Sequence, residues 1–390
     1  MIHNSFILIV YLLAIEATVL FISSRAKFKK YFKFIPAVFW IYFLPTLSAT
    51  FGVIDPKSTL YQGISYYLLP PALALLLLSS DIRAILKLEK KAIIMMLAGS
   101  FGIMYATPLV FLIFKQWIGP EMWSGFGALS ASWSGGSANM IAAKEALGTP
   151  DAVFTPMVIV DTIVPYCWMG ILVAAVNLQH KFDRWNRSDR LVINELSCRL
   201  GTNTAAECVQ KQFKVSKFCS ILLYAGLAGA ISIFAADKLP SIKNVIANYT
   251  WAIIIVSILG IAGSLTALKK LENFGSEKIG YFLLYFVLTS IGARSNISHI
   301  NATVILIAAG FLIVMIQAIT LIAAARILKA PMFLIATASQ ANIGGVASAP
   351  IVAAIYEPGL ASVGLLLAIL GNIVGTYLGI ITGQLCRLLV

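Results

Sequence analysis

Long apolar runs separated by short polar stretches dominate the chain. An α-helix needs ~20 apolar residues to cross the hydrocarbon core of a bilayer. The runs show no period-two alternation of apolar and polar residues, so we expect membrane-spanning helices rather than barrel strands. The pattern predicts an all-α polytopic membrane protein with about 12 transmembrane helices, at residues 5–22, 35–53, 61–79, 92–114, 125–147, 152–176, 218–236, 249–268, 279–295, 303–325, 332–354 and 360–386.

The composition agrees with a protein that lives in a bilayer. Hydrophobic residues make up 59% of the 390 residues and charged residues 12%, against about 45–50% and 25% in soluble domains. The mean hydropathy is +0.90. The formal net charge of +13 does not indicate a nucleic-acid site, because most basic residues gather in three short polar stretches that are typical of topology signals, at 25–33, 83–91 and 177–217.

The residue types that serve most catalytic and metal sites are sparse and scattered. The five cysteines form no CxxC pair, and the three histidines lie far apart, so neither a disulfide scaffold nor a zinc site is expected. The chain has no GxSxG nucleophile motif and no Walker-type phosphate loop. We therefore expect no enzyme and no cofactor, apart from Na⁺ or H⁺ as a coupling ion.

The basic stretches give conflicting information on topology. Lysine and arginine favour the cytoplasmic side, which places 25–33 and 83–91 inside and, after six crossings, 177–217 outside. That loop carries eight basic residues. Either one segment of the first half is not a full crossing, or the central stretch supplies another, or this loop is an exception. The later basic clusters favour a cytoplasmic central loop.

The two halves of the chain end alike. Each contains, in its fifth apolar segment, a run rich in Gly, Ser, Asn and Gln, at 130–139 and 337–345. Each run is followed by a proline beside an acid and then by a helix with one internal polar residue, Asp161 or Asn372. We interpret residues 1–176 and 218–390 as two repeats joined by a basic linker, 177–217. If the linker is cytoplasmic, the second repeat is inverted.

The polar runs predict that one helix in each repeat is broken, near 130–140 and near 337–346. Glycine costs ~1 kcal/mol more than alanine in a helix. Paired breaks in two repeats indicate a transport site at the midplane of the membrane, and the alternative is close helix packing through small residues. The candidate substrate- or ion-binding residues are Ser134, Gly135, Gly136, Ser137, Asn139, Asp161, Ser339, Gln340, Asn342, Gly344, Gly345 and Asn372.

Only two acids, Glu16 and Asp161, fall well inside apolar segments. An unpaired charge at that depth costs ~2.5–3.5 kcal/mol on insertion scales. Pro165 removes the usual i+4 donor for the carbonyl of residue 161, and a carboxylate with such a carbonyl suits Na⁺, while a buried carboxyl suits proton carriage. Asp161 is the candidate metal ligand, for Na⁺, with a structural acid as the alternative. We interpret Glu16 as structural or partner-facing.

A family resemblance is carried by four stretches, 134–139, 281–296, 338–345 and 371–379. The chain resembles the YjcL-like bacterial membrane family, domain-of-unknown-function 819. That family is similar in turn to the superfamily of cation/proton antiporters and bile acid:sodium symporters. The resemblance implies a core domain with two crossing broken helices, and a panel or dimerisation domain. It places Asp161 in the helix that carries the ion-binding acid of the antiporters. The acid that the bile-acid symporters use together with Gln340 is missing.

Three functions are left open. The first is a secondary transporter of a small organic solute, coupled to Na⁺ or H⁺ by an elevator-like mechanism. The second is a monovalent cation/proton antiporter, and the third is a membrane-embedded enzyme or receptor subunit. The expected location is the bacterial cytoplasmic (inner) membrane. The expected partners are membrane lipid and the small-molecule or ion substrate, with a homodimer as a further expectation and no nucleic acid.

Overall fold

The fold, taken from a computed structural model, is helical throughout the described part of the chain. The described residues are 1–28, 31–32, 37–80, 82–85, 88–189, 191–200, 215–240, 248–295, 303–357 and 359–390. Within them lie α1 (Ser5–Ser24), α2 (Ala37–Thr50), α3 (Leu60–Leu78), α4 (Ile82–Ile85), α5 (Lys90–Ile118), α6 (Trp123–Gly135), α7 (Ser137–Leu147), α8 (Asp151–Ala174), α9 (Gln179–Asn186), α10 (Leu191–Leu200), α11 (Val215–Lys238), α12 (Asn248–Ser264), α13 (Ser276–Arg294), α14 (Thr303–Leu328), α15 (Met332–Ile343), α16 (Gly345–Tyr356) and α17 (Ala361–Arg387).

Seven helices in this described part are long and apolar enough to cross a membrane: α1, α3, α5, α8, α11, α14 and α17. They confirm that the chain is a multi-pass membrane protein. Two of the remaining predicted segments differ clearly from simple spans. The segment at 249–268 forms α12 and a 3₁₀ helix, Ala267–Phe274, which are bent by 91°, and α2 has only 14 residues. Twelve crossings therefore stay a prediction.

The chain divides into two compact units that are interleaved along the sequence. Unit 1 contains Met1–Ser79, Gly148–Thr162 and Gln210–Thr303. Unit 2 contains Ser80–Leu147, Ile163–Val209 and Val304–Val390. Each unit thus draws on both halves of the chain. The two sequence repeats and their linker are a different kind of division, based on likeness between segments, and they stay a prediction.

Unit 1 is organised around α13, which packs against α2 and α3. The hydroxyl of Tyr42 lies 2.8 Å from the Thr155 hydroxyl and 2.8 Å from the Ser295 hydroxyl. At the same level Arg294 Nε lies 3.4 Å from the Asp151 carboxylate. These polar contacts join α2 and the start of α8 to the end of α13.

Unit 2 is built along α17, which packs against α5, α6 and α16. Four glycines spaced four residues apart give α17 a smooth face, because side chains at i and i+4 lie on the same side of a helix. A Cβ atom on Gly375 would lie only 2.6 Å from the Cα of Gly135. The backbones of α17 and α6 are therefore in direct contact. The four glycines are Gly371, Gly375, Gly379 and Gly383.

The first part of the predicted linker packs onto unit 2. A carboxylate oxygen of Asp183 in α9 accepts a hydrogen bond from the backbone N–H of Met332 at 2.9 Å. The Asn186 amide donates to the carbonyls of Ala330 at 2.9 Å and Ala325 at 3.2 Å. Residues 179–186 thus hold the turn that leads into α15. The basic residues at 211 and 214 lie outside the described residues, and the side of the membrane on which the linker lies stays a prediction.

Candidate functional site

The first helix break lies at Gly136, inside the stretch 130–140. α6 ends at Gly135, and Gly136 takes a φ of +84°, a backbone conformation that a side chain would strain. Its N–H donates to the Ser132 carbonyl, and α7 begins at once with the half-buried Ser137. The double glycine therefore interrupts the helix at a single residue.

Asn139 fastens this break to α17. Its amide nitrogen donates to the carbonyl of Gly135, one turn earlier. Its amide oxygen accepts hydrogen bonds from both the N–H and the hydroxyl of Thr376. Asn139 is 5% exposed, so these bonds are formed away from solvent. The residue predicted as a ligand thus has a clear positioning role.

Asn372 and Gly371 of α17 lie against the same break. A Cβ atom built on Gly136 would lie 3.4 Å from Asn372 Oδ1. A Cβ atom built on Gly371 would lie 2.5 Å from the Ser134 carbonyl oxygen. The internal asparagine of the last helix and the first polar run, which are far apart in sequence, are thereby neighbours in unit 2.

The second break lies between α15 and α16, at Gly344 and Gly345. The Gly344 N–H closes α15 by donating to the Gln340 carbonyl at 2.8 Å, and Gly345 takes a φ of +59°. The Gln340 side-chain amide reaches across the break and donates to the Ser348 hydroxyl at 2.7 Å. Both halves of the helix are thus connected by one side chain.

Asn342 and Ser339, both on α15, are held by neighbouring helices. The Ser100 hydroxyl of α5 donates to Asn342 Oδ1 at 2.6 Å. The Ser339 hydroxyl accepts a hydrogen bond from Trp168 Nε1 at 2.9 Å and donates to Gln317 Oε1 at 2.8 Å. The polar residues before the second break therefore belong to a buried hydrogen-bonded network.

Met96 connects the two breaks. Asn342 Nδ2 donates to the Met96 carbonyl at 3.2 Å. The terminal methyl of Met96 lies 2.8 Å from the position that a Cβ atom on Gly371 would take, and Gly371 itself touches the Ser134 carbonyl. α15 also contacts α6 directly. The two breaks are therefore neighbours within unit 2.

Several polar atoms around the breaks have no hydrogen-bond partner among the described residues. A buried polar group without a partner costs about 1–3 kcal/mol, so each such atom indicates a place for water, an ion or a solute. The set combines donors and acceptors and contains no charged group. Its members are Trp133 Nε1, Ser134 Oγ, Gln317 Nε2, Thr337 Oγ1 and Gln340 Oε1.

Asp161 belongs to a different compact unit from the other predicted residues. It lies in the first half of α8, which groups with unit 1, whereas the eleven others all group with unit 2. Its side chain is half-buried. The described residues contain no group of three or more His, Cys, Asp or Glu that could hold a metal ion. An ion site built from these residues would therefore use hydroxyl, amide and carbonyl oxygens with few carboxylates.

Sequence reasoning missed five residues of the network: Ser100, Trp168, Gln317, Ser348 and Thr376. All five are buried in unit 2. The signal that could have found Gln317 is its isolation. It is the one amide side chain in the apolar segment 303–325, and a polar side chain inside such a segment is a functional candidate. Serine, threonine and tryptophan are too common in membrane helices to give such a signal alone.

The comparisons with known proteins agree with the membrane assignment. The sequence model of the family described as "Protein of unknown function (DUF819)" matches residues 10–389. The chain is also similar to the "Uncharacterized membrane protein YjcL" of Bacillus subtilis (strain 168). The two are 26% identical over 349 residues, which cover 84% of this chain and 85% of that protein.

Proposed function

Since the chain belongs to the DUF819 family of membrane proteins, we propose that it is a secondary active transporter that moves a small organic solute together with Na⁺ or H⁺. The observation that carries this proposal is the meeting of two broken helices in unit 2. Both breaks lie beside buried polar atoms that have no hydrogen-bond partner among the described residues, including Ser134 Oγ and Gln340 Oε1. Broken helices that expose polar groups at the centre of a bundle are the usual construction of a transport site.

The chemistry of the unpaired atoms supports a solute with hydrogen-bonding groups. Gln317 Nε2 and Trp133 Nε1 are donors, while Gln340 Oε1 is an acceptor. Hard cations such as Na⁺ bind oxygen ligands, which hydroxyls, amides and the carbonyls at a helix break can supply. The same atoms can therefore serve an ion and a solute that bind together.

The remaining parts of the proposal concern architecture and coupling. Twelve crossings in two inverted repeats would relate the two breaks by symmetry, and the similar positions of Gly135-Gly136 and Gly344-Gly345 in the two halves support this. The division into two compact units supports an elevator-like mechanism in which unit 2 carries the site. Asp161 is the proposed coupling acid. A carboxyl inside a membrane-spanning helix costs free energy, so its presence there indicates a functional role.

A cation/proton antiporter is the second candidate, and the observation that favours it is Asp161 itself. An antiporter needs an acid that binds Na⁺ and H⁺ in turn, without any organic substrate. In that case the unpaired amides and hydroxyls of unit 2 would hold water. We further propose that the protein is not an enzyme, that it lies in the bacterial cytoplasmic membrane among lipids, and that it forms a homodimer.

Thermal unfolding of the purified protein tests the proposal. Any ligand that binds only the folded state stabilises it by RT ln(1 + [L]/Kd). We expect Na⁺, or a pH step, to raise the Tm of the wild type, and a solute from a metabolite panel to raise it further in the presence of that ion. Li⁺ and K⁺ serve as matched ions. The solute effect should vanish in Gln340→Ala.

Two outcomes would count against the proposal. If Asp161→Asn responds to ions and pH as the wild type does, Asp161 is a structural acid and the coupling role fails. If the protein catalyses pH-dependent Na⁺ or Li⁺ exchange in proteoliposomes, and no solute alters its Tm, the antiporter is correct and the solute transporter is wrong.

A further inference from the structure

Glu16 is a buried acid that the proposed transport site does not use. It lies in α1 of unit 1, and its side chain is 0% exposed. Neither of its carboxylate oxygens has a hydrogen-bond partner among the described residues. At 1.5 Å per residue it lies ~16 Å from the start of α1 and ~12 Å from its end. The carboxyl is therefore far from both ends of a membrane-spanning helix.

Helices α2 and α13 pack against α1. Tyr285 of α13 lies near Glu16. Two of the tyrosines use their hydroxyls elsewhere, since Tyr11 contacts Ser48 and Tyr42 contacts Thr155. All titratable and charged residues on these three helices, apart from Glu16, are Tyr11, Tyr42, Glu277, Lys278, Tyr281, Tyr285 and Arg294.

The cations on these helices lie at other levels. Lys278 and Arg294 are seven and nine residues from Tyr285, which corresponds to ~10 and ~13 Å along α13. Arg294 is paired with Asp151. Arg25, nine residues after Glu16, lies 4.2 Å over the ring of Phe21. No ion pair to Glu16 is present among the described residues.

An ionised carboxylate in these surroundings would lose its hydration and gain neither a counter-charge nor a hydrogen bond. The neutral acid avoids most of that loss, because a group without net charge gives up far less hydration on burial than a carboxylate does. We propose that Glu16 is a proton-binding site of unit 1, occupied by a proton at neutral pH. This site uses neither Asp161 nor the residues of the broken helices, and it does not depend on the proposed transport activity.

Infrared difference spectroscopy of the protein in lipid at neutral pH tests this proposal. The spectrum of the wild type minus that of Glu16→Gln should contain a carboxylic acid carbonyl band that shifts in D₂O. The matched control is Glu277→Gln, the same substitution at an exposed acid of α13. For that variant the difference should contain carboxylate bands only. Carboxylate bands in the Glu16→Gln difference would show that Glu16 is ionised and would overturn the proposal.

A second measurement uses the wild type alone and so does not require Glu16→Gln to fold. Glutamate labelled with ¹³C at the side-chain carboxyl should shift an acid carbonyl band of the protein at neutral pH, whereas labelled aspartate should leave that band in place. If labelled glutamate moves only carboxylate bands, no glutamate of the folded protein holds a proton, and the proposal is wrong.

Discussion

The side-chain oxygen of Asn139 accepts a hydrogen bond from the backbone N–H of Thr376 at 3.1 Å, across a separation of 237 residues in sequence. The same amide group also binds the Gly135 carbonyl through its nitrogen. One side chain therefore supplies a hydrogen-bond donor to the carbonyl at the end of α6 and fixes that end to α17. This arrangement ties the first break to the last helix.

Replacing Asn139 should weaken unit 2. Asn139→Ala leaves the Gly135 carbonyl without its side-chain donor and Thr376 without its acceptor, so we expect a loss of about 1–3 kcal/mol. Thermal unfolding in detergent measures this loss. Ser137→Ala, two residues earlier and half-buried, is the control and should change stability by less than about 0.5 kcal/mol. Equal unfolding temperatures for the two variants would show that the Asn139 bonds contribute little.

The contact between α6 and α17 should tolerate no added methyl group. A Cβ atom on Gly375 would lie 2.6 Å from the Gly135 Cα and 2.8 Å from its nitrogen. Both are backbone atoms that cannot move aside, so Gly375→Ala should destabilise by about 1–3 kcal/mol through overpacking. Gly170→Ala in α8 is the matched control, because nothing lies within 4 Å of its Cβ position.

The control is expected to change stability in the opposite direction. Alanine is favoured over glycine in a helix by about 1 kcal/mol, so Gly170→Ala should raise the unfolding temperature slightly. If Gly375→Ala also raises it, α6 and α17 are not in close contact in the folded protein.

Ser134 should respond differently with and without ligand. Its hydroxyl is buried and has no partner among the described residues, so Ser134→Ala removes an unsatisfied polar group and should leave the Tm unchanged or raise it. The same change should abolish the increase in Tm that the ion or solute produces. A ligand response equal to that of the wild type would exclude Ser134 from the site.

Ser339 provides the comparison for that experiment. Its hydroxyl is bonded to Trp168 and Gln317, so Ser339→Ala leaves two buried groups with a lost partner. We expect the free energy of unfolding to fall by about 1–3 kcal/mol without any ligand, and the Tm to fall with it. If Ser134→Ala and Ser339→Ala change the Tm equally in the absence of ligand, the hydrogen bonds of the Ser339 hydroxyl do not contribute to stability.

Asp183 should stabilise the start of α15. Its carboxylate accepts the N–H of Met332, one of the helix N–H groups that have no partner within the helix. Asp183→Ala should therefore cost about 1–2 kcal/mol, as the loss of other helix caps does. Lys181→Ala, at an exposed position of the same helix, is the control and should be neutral in the same unfolding measurement. Equal losses would mean that α9 does not support α15.

The sequence predicted the class of the protein and the positions of both breaks, because these depend on local properties. An apolar run of ~20 residues satisfies its own backbone in lipid only as a helix. A double glycine weakens a helix wherever it lies, and the structure breaks α6 from α7 and α15 from α16 within the predicted stretches. The family assignment rests on the same local motifs and is confirmed by the match over residues 10–389.

The partners of the polar side chains could not be predicted in this way. Gln317 and Ser100 belong to the network only because α14 and α5 pack beside α15, and that packing depends on the whole of unit 2. Local patterns grouped Asp161 with the other candidate residues, whereas in the folded chain Asp161 belongs to unit 1 and the others belong to unit 2.

Local chemistry thus determined that this chain is a multi-pass helical membrane protein with two broken helices, because helix formation and helix breaking act over a few residues. Tertiary structure alone decided which polar atoms are paired, as Asn139 is with Thr376, and which have no partner in the described part of the chain, as is the case for Ser134 Oγ. The physical reason is that hydrogen bonds between segments hundreds of residues apart form only after packing has brought those segments into contact.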